Sequence, residues 1–302
     1  MNRRMARNKN RDDEDQIACG RDPGTDADFC EIVRLGPFYE TQVRFAPHPI
    51  RSTQRFSLSI YLLLRAMAPN LANDSSVQRA VAPAWHTVVL LLILFGFSFA
   101  SAHTGSLTPL GPKIGRAFGY IVIIIFEWAV VAFIWFGARQ RGIRMADLVG
   151  GSWARPIHIV RDIAIAIAFL IVSAGVLSGL DYFLKTAPNQ AIRNLLPQGP
   201  IEVVLFLATS LTAGFCEELI YRGYLQRQFT ALTHAVAGGI VLQAITFALS
   251  HGYQGWKYVL LIAVLATMLG LLAHWRRSLR PGMIAHALQD GVTGIVAAHV
   301  LR

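Results

Sequence analysis

Two adjacent carboxylates and an arginine four residues on sit in an otherwise apolar segment, Phe215-Cys216-Glu217-Glu218-Leu219-Ile220-Tyr221-Arg222-Gly223. Ionisable groups in such a stretch are costly unless paired or facing a wet cavity, so they point to function by default. On a helix of 3.6 residues per turn, Glu218 and Arg222 share a face at i,i+4, while Glu217 lies about 100° away. Arg222 can then neutralise Glu218 and leave Glu217 free. The bland alternative is a buried structural ion pair.

Two histidines extend the set. Phe247-Ala248-Leu249-Ser250-His251 closes a later apolar run, and His286-Ala287-Leu288-Gln289-Asp290 opens the last. His286 and Asp290 share a face at i,i+4, so the carboxylate can orient the imidazole. Glutamate with histidine suits amide hydrolysis, the desolvated carboxylate taking a proton from water and the imidazole sharing or relaying it. The same groups allow a second chemistry, with Glu217, His251 and His286 as three ligands of a zinc ion and water as the fourth. No His-Glu-x-x-His helix accompanies them. Cys216 as a thiol nucleophile is the weakest option, because a buried cysteine is usually a small hydrophobe. His158, His234, His274 and His299 read as structural hydrogen-bonders.

The elements that position these groups must bring them to one depth. If the helix carrying Glu217 continues past Arg222 to a turn near Thr233, Glu217 lies about 24 Å from that turn and His251 about 27 Å from it on the returning helix. These two meet. His286 fits less well, since a straight sixth helix would carry the chain across before the seventh begins. Reconciling it takes a short, tilted or broken sixth helix, or a helix that ends early at His251-Gly252-Tyr253-Gln254-Gly255, as is tolerated around a water-lined cavity.

Composition sets the medium. The chain has 302 residues, of which 54% are hydrophobic and 15% charged, with a mean hydropathy of +0.44. The charged share of a soluble domain is about 25%, so this is an integral membrane protein of all-α class. Apolar runs long enough to cross about 30 Å of hydrocarbon occur at 85–102, 117–137, 163–184, 201–221, 238–255, 256–273 and 282–300, giving about seven transmembrane helices. The net charge of +10 does not indicate nucleic acid, because the arginines fall in the connections, where they orient helices in a bilayer. Rich connections (Arg51, Arg55, Arg65 and Arg79; Arg139, Arg141, Arg144, Arg155 and Arg161; Arg276, Arg277 and Arg280) alternate with poorer ones (Lys113 and Arg116; Lys185 and Arg193). The positive-inside rule then places the N-terminus in the cytoplasm. Trp85, Trp135, Trp256 and Trp275 stand near span ends, and Ala237-Gly238-Gly239 and Gly270 suit close helix contacts. The absence of a visible internal repeat weakens a transporter reading.

Residues 1–80 differ in kind from the transmembrane domain at 81–302. They begin with mixed charge and scattered glycine and proline, and read as a disordered or weakly structured segment. The apolar run from Ser57 to Leu64 is too short to span, and Met67 offers a second candidate start. Cys19 and Cys30 have no metal-type spacing, and no disulfide framework is implied.

The ordered set Glu217-Glu218-x-x-x-Arg222, Phe247-x-x-x-His251 and His286-x-x-x-Asp290 resembles the CPBP family of intramembrane proteases, which includes the CAAX prenyl endopeptidases and bacteriocin self-immunity proteins. The resemblance covers about residues 160–300. It implies that Glu217 and His251 activate water, and that His286 and Asp290 hold the oxyanion. Asp290 stands where asparagine is commoner; an ionised aspartate cannot donate to an oxyanion, so it is either protonated or orients His286 instead. The resemblance further implies an endopeptidase in a bacterial plasma membrane, cleaving a membrane-associated or lipidated protein without a required metal. A non-enzymatic immunity or regulatory protein of the same fold is the alternative.

Overall fold

The computed structural model describes residues 15–21, 28–34, 79–104, 115–187 and 190–300, together with Thr108 and Leu110. The early apolar run at Ser57–Leu64 and Met67 lie outside the described residues. In the N-terminal segment two strands, β1 (Asp15–Arg21) and β2 (Asp28–Arg34), pair antiparallel with Ile17 opposite Ile32 and Cys19 opposite Cys30. The sequence reading did not anticipate this hairpin. Its seven-residue strands are bounded by charge, and an isolated two-stranded ribbon is marginal in water.

From Ala84 onward the described elements are helices joined by turns and short irregular connections. The order is α1 (Ala84–Thr104), α2 (Arg116–Arg139), short α3 (Met145–Val149), α4 (Pro156–Leu184), short α5 (Gln190–Leu195), then a continuous run composed of α6 (Pro200–Glu217), a π-helical stretch (Glu218–Leu225) and α7 (Gln226–Thr233). After these come α8 (Val236–Ser250), a single 3-10 turn (Gly252–Gln254), α9 (Trp256–Arg276) and α10 (Arg280–Val300). Each of the seven expected spans has its helix.

Five of them are long and apolar enough to cross a membrane: α1, α2, α4, the run Pro200–Thr233, and α9. The fifth expected span, placed at 238–255, is shorter than that: α8 has 15 residues, about 22 Å, and stops at Ser250. The α10 helix has 21 residues but carries His286, Gln289 and Asp290 in its first half. Prolines at the first helical position start α4 and α6, where the missing N–H costs nothing. Left-handed residues end α4, α7 and α9, at Lys185 (φ 50°), His234 (φ 54°) and Arg277 (φ 49°).

The long run from Pro200 to Thr233 is the axis of the bundle. It packs against α10 and α2, α8 folds back along α7, α9 lies on α8, and α4 sits outside against α10 and α9. Small residues set the spacing. A Cβ on Gly214 would stand 2.6 Å from that of Ala287, so α6 and α10 approach at a distance that only glycine permits.

The basic connections gather at one end. Gln228 exchanges hydrogen bonds with the Ala82 backbone (3.2 and 3.0 Å), and Arg227 donates to the carbonyls of Asp147 (2.8 Å) and Leu148 (3.0 Å). Leu279 N–H donates to Val149 O (2.8 Å), and Arg280 donates to Gly150 O (2.8 Å). The opposite end is fastened by Tyr120 to Leu195 O (2.6 Å) and by the Arg116–Glu202 ion pair (3.1 Å). Trp85, Trp135, Trp256 and Trp275 are all exposed at helix ends, as interface aromatics are.

Candidate active site

The ionisable pair at Glu217-Glu218 falls where the long helix changes from α to π. Glu217 is the last residue of α6, and the π-helical turns run from Glu218 through Arg222 to Leu225. All eight π residues are buried. Single-turn π segments inside α-helices are often associated with functional sites, because the wider turn re-aims the side chains it carries.

Arg222 and Glu218 form the expected pair, with Nη1 donating to Oε1 at 2.9 Å and neither side chain exposed to solvent. The guanidinium also donates to Ala266 O at 3.3 Å and lies 4.6 Å above the centre of the Phe247 ring. Helix, neighbouring backbone and aromatic face thus cage the cation. Phe247 does more than mark a motif. Its ring is edge-on to Tyr221 (4.7 Å), tilted on His251 (4.6 Å) and edge-on to His286 (5.9 Å), so one aromatic spaces all three parts of the site.

The depth problem of His286 takes the second of the expected solutions, the helix that ends early, since α8 stops at Ser250 and a 3-10 turn follows. The α9–α10 turn is only three residues long, and Gly282 lets α10 approach the carboxylate, since a Cβ there would stand 3.0 Å from Glu218 Oε2. One turn later His286 inserts between the two glutamates. Its Nδ1 is 3.0 Å from Glu218 Oε1, and its Nε2 is 3.6 Å from Glu217 Oε2 and 3.5 Å from Asp290 Oδ2. Glu218 therefore has two partners, Arg222 and His286, where the sequence suggested one.

His251 is placed less directly. It caps the early end of α8, and its Nδ1–H donates to Phe247 O at 2.8 Å. A carbonyl only accepts, so the neutral ring keeps its lone pair on Nε2. Tyr221 and Ser250 brace this corner through a 2.9 Å hydroxyl contact. His251 is among the titratable neighbours of Glu217, as are His286, Asp290 and Arg222. The direct side-chain contact of Glu217 is with His286, Oε2 to Nε2 at 3.6 Å.

Exposure separates the acids. The Glu218 side chain is fully buried, the Glu217 side chain is 17% exposed and that of Asp290 41%. Glu217 is the more exposed member of the pair, and Asp290 is the most exposed of the three acids. Among the described residues, no group of three or more His, Cys, Asp and Glu side chains is arranged to hold a metal ion. The zinc alternative through Glu217, His251 and His286 thus finds no assembled cage. Cys216 is buried in the core beside Leu219 and Ile220, the setting of a packing residue.

One buried acid was missed. Glu127, in the middle of α2, is 6% exposed, and its charged neighbours are Glu217 and Asp290. The rule that singled out Glu217, an ionisable residue inside an apolar run, applied equally to Phe126-Glu127-Trp128. Tyr253, on the 3-10 turn, lies beside the cluster, its ring stacked on that of His251 with centroids 6.2 Å apart.

Residues 199–292 match the family model described as type II CAAX prenyl endopeptidase, Rce1-like. The matched segment runs from the start of α6 into α10 and contains Glu217, Glu218, Arg222, His251, His286 and Asp290. No curated protein and no solved structure matches the chain. The match agrees with the family read from the three motifs and covers 199–292 of the 160–300 over which the resemblance was drawn.

Proposed function

We propose that the chain is an intramembrane endopeptidase that hydrolyses a peptide bond in a membrane-associated substrate, with Glu217 as the base that activates water. The observation that supports this most is the division of labour between neighbours. Glu218 is sealed and compensated by Arg222 and His286, whereas Glu217 is partly open beside the same imidazole. A structural ion pair has no use for the second, reachable carboxylate.

In this reading Glu217 takes a proton from water as the oxygen attacks the carbonyl carbon, and returns it to the departing amine. His251, with its free electron pair on Nε2, stands by to relay that proton. His286, as the imidazolium favoured by the carboxylates of Glu217, Glu218 and Asp290 around it, supports through Nε2–H the negative charge that develops on the carbonyl oxygen. Its Nδ1 is anchored on Glu218, which fixes the ring and leaves Nε2 facing the reactive side. Asp290, 3.5 Å from Nε2, orients and charge-supports the imidazole, a role open to an ionised aspartate. The family description suggests a prenylated C-terminal peptide as substrate.

The test is cleavage of a fluorogenic farnesylated CAAX-type peptide by the full-length protein in liposomes. Wild type is expected to cleave it, and Glu217→Gln to lose about 10²-fold or more in kcat with normal membrane accumulation. Absence of cleavage by wild type would favour the non-enzymatic reading, and full activity in Glu217→Gln would remove Glu217 as the base.

The shared end of the basic connections supports an orientation with that end, and the N-terminal side of α1, in the cytoplasm. Arg277 is the position to probe, because it is exposed in the α9–α10 turn while Ser278 is buried. A cysteine at Arg277 in a cysteine-free background should be protected from an impermeant thiol reagent added outside intact cells. Labelling from outside would invert the topology.

A further inference from the structure

Tyr221 and Ser250 take no step in the mechanism above, yet together they reach the imidazole that relays the proton. The way α8 ends makes room for them. In a continued α-helix the His251 N–H would bond to Phe247 O; here it bonds to Ala248 O at 3.1 Å, and the Phe247 carbonyl is released to side chains. It takes two, accepting from Ser250 Oγ–H at 2.7 Å and from His251 Nδ1–H at 2.8 Å.

Those two bonds fix the direction of the others. A serine has one hydrogen, and with it spent on Phe247 O the Oγ can only accept. Tyr221 OH, 2.9 Å away, is then the donor to Ser250. His251 Nδ1 lies 3.3 Å from the same Oγ, so its N–H meets two acceptors, a carbonyl and a hydroxyl oxygen. The end of α8 places the first, and Tyr221 holds the second. Tyr221 is buried and edge-on to the Phe247 ring; it stands four residues beyond Glu217 and one before Arg222 on the same continuous run. One helix therefore holds both histidines of the site, His286 directly through Glu218 Oε1 (3.0 Å) and His251 through a phenol and a serine.

We propose that Tyr221 and Ser250 are positioning residues of the site, a pair of hydroxyls through which the helix of Glu217 sets the place of the His251 ring. In this role neither touches the peptide or the attacking water. The Phe247 carbonyl alone keeps the hydrogen on Nδ1, but one bond leaves the ring free to swing about it. The second acceptor fixes the plane of the ring, and with it the direction of the Nε2 lone pair. A proton acceptor displaced by about 1 Å loses roughly 10²-fold in rate, so the hold on the ring matters more than its contribution to folding. The inference rests on the peptidase reading for its consequence, but the hold on His251 is measured without turnover.

Solid-state NMR of the full-length protein in lipid bilayers, labelled with nitrogen-15 on histidine, reads the His251 Nδ1–H signal, identified by its loss in His251→Gln. Tyr221→Phe keeps the ring and its packing on Phe247 and removes only the O–H. A shifted and broadened His251 signal is expected in Tyr221→Phe and in Ser250→Ala, with the double variant matching Ser250→Ala alone, because the phenol acts through the serine. A signal unchanged in both single variants, or separate effects that add in the double one, would overturn the proposal. With the farnesylated peptide, each single variant is expected to lower kcat about tenfold while KM stays within about twofold, and the double variant to be no slower than the slower of the two. An unchanged kcat, or a loss that only follows the amount of folded protein, would overturn the positioning role. Should Tyr221→Phe fail to accumulate, Ser250→Ala, at a half-buried position, carries both measurements. If wild type cleaves nothing, the peptidase reading fails, while the NMR measurement still decides whether the two hydroxyls hold His251.

Discussion

The π-helical stretch Glu218–Leu225 and the helix α4 are opposites. The first contains a carboxylate, a guanidinium and two tyrosines, and every one of its residues is buried. The second is among the most uniformly apolar helices of the chain, yet of its 29 residues only Asp162, Ala166 and Ser173 are buried, and Ile171 is 69% exposed. In water the assignments would be reversed. Within a bilayer, apolar side chains lose nothing by facing outward, and the groups that must be hidden are those lipid cannot solvate. Polarity inside the membrane therefore locates the interior, and apolarity marks the periphery. Even α4 obeys this, since Asp162 turns inward to Trp153 (2.9 Å), Arg161 (3.0 Å) and Arg276 (3.6 Å).

If that contrast is right, the largest effects follow from unbalancing the π stretch. Glu218→Ala removes the partner of both Arg222 and His286, and stranding a buried charge costs about 3–5 kcal/mol. The folded fraction recovered from membranes should collapse. The double change Glu218→Ala with Arg222→Ala should recover part of it, because no cation is then left alone; equal yields from single and double variants would break the pairing account.

A smaller loss is expected where the site helices touch. Gly214→Val drives a branched side chain into Ala287 and the Met283 carbonyl, and overpacking of this kind costs about 1–3 kcal/mol. The melting temperature in detergent should fall by several degrees, and activity should fall further, since α10 carries His286. Unchanged melting would show that α10 is held more loosely than described.

The smallest effect belongs to α4. Ile171→Ala and Val172→Ala, at positions 69% and 57% exposed, should each change stability by no more than about 0.5 kcal/mol. A large loss at either would mean that this face contacts protein, and would erase the contrast on which the other predictions stand.

Legibility in the sequence followed the same division. Helix existence and order were readable because hydropathy reports span length directly, and the seven runs each became a helix. The Glu218–Arg222 pair was readable because i,i+4 geometry is local. What escaped depended on contacts between segments distant in the chain. The partner of Glu217 is His286, sixty-nine residues away, and its approach depends on a three-residue turn and on Gly282, neither of which has a periodic signature. The early stop of α8 was one of several solutions open to the sequence, and a π segment has no compositional mark at all. Glu127 was the avoidable omission, an isolated acid in a plain apolar run. The N-terminal hairpin was missed because its strands mix charge with apolar residues and lack a clean alternation.

Arg222 also has a history within each molecule. Of its partners, Glu218 precedes it by one turn, but the Ala266 carbonyl and the Phe247 ring come from residues synthesised later, as does the His286 that completes Glu218. Chains emerge from the ribosome N-terminus first, so the segment around Arg222 enters the bilayer before most of its solvation exists. Glu218 is then its resident counter-ion, a chaperone built into the same helix. Newly inserted chains should pass through a stage in which this helix is held by one internal pair, exposed to quality-control proteases until α9 and α10 arrive.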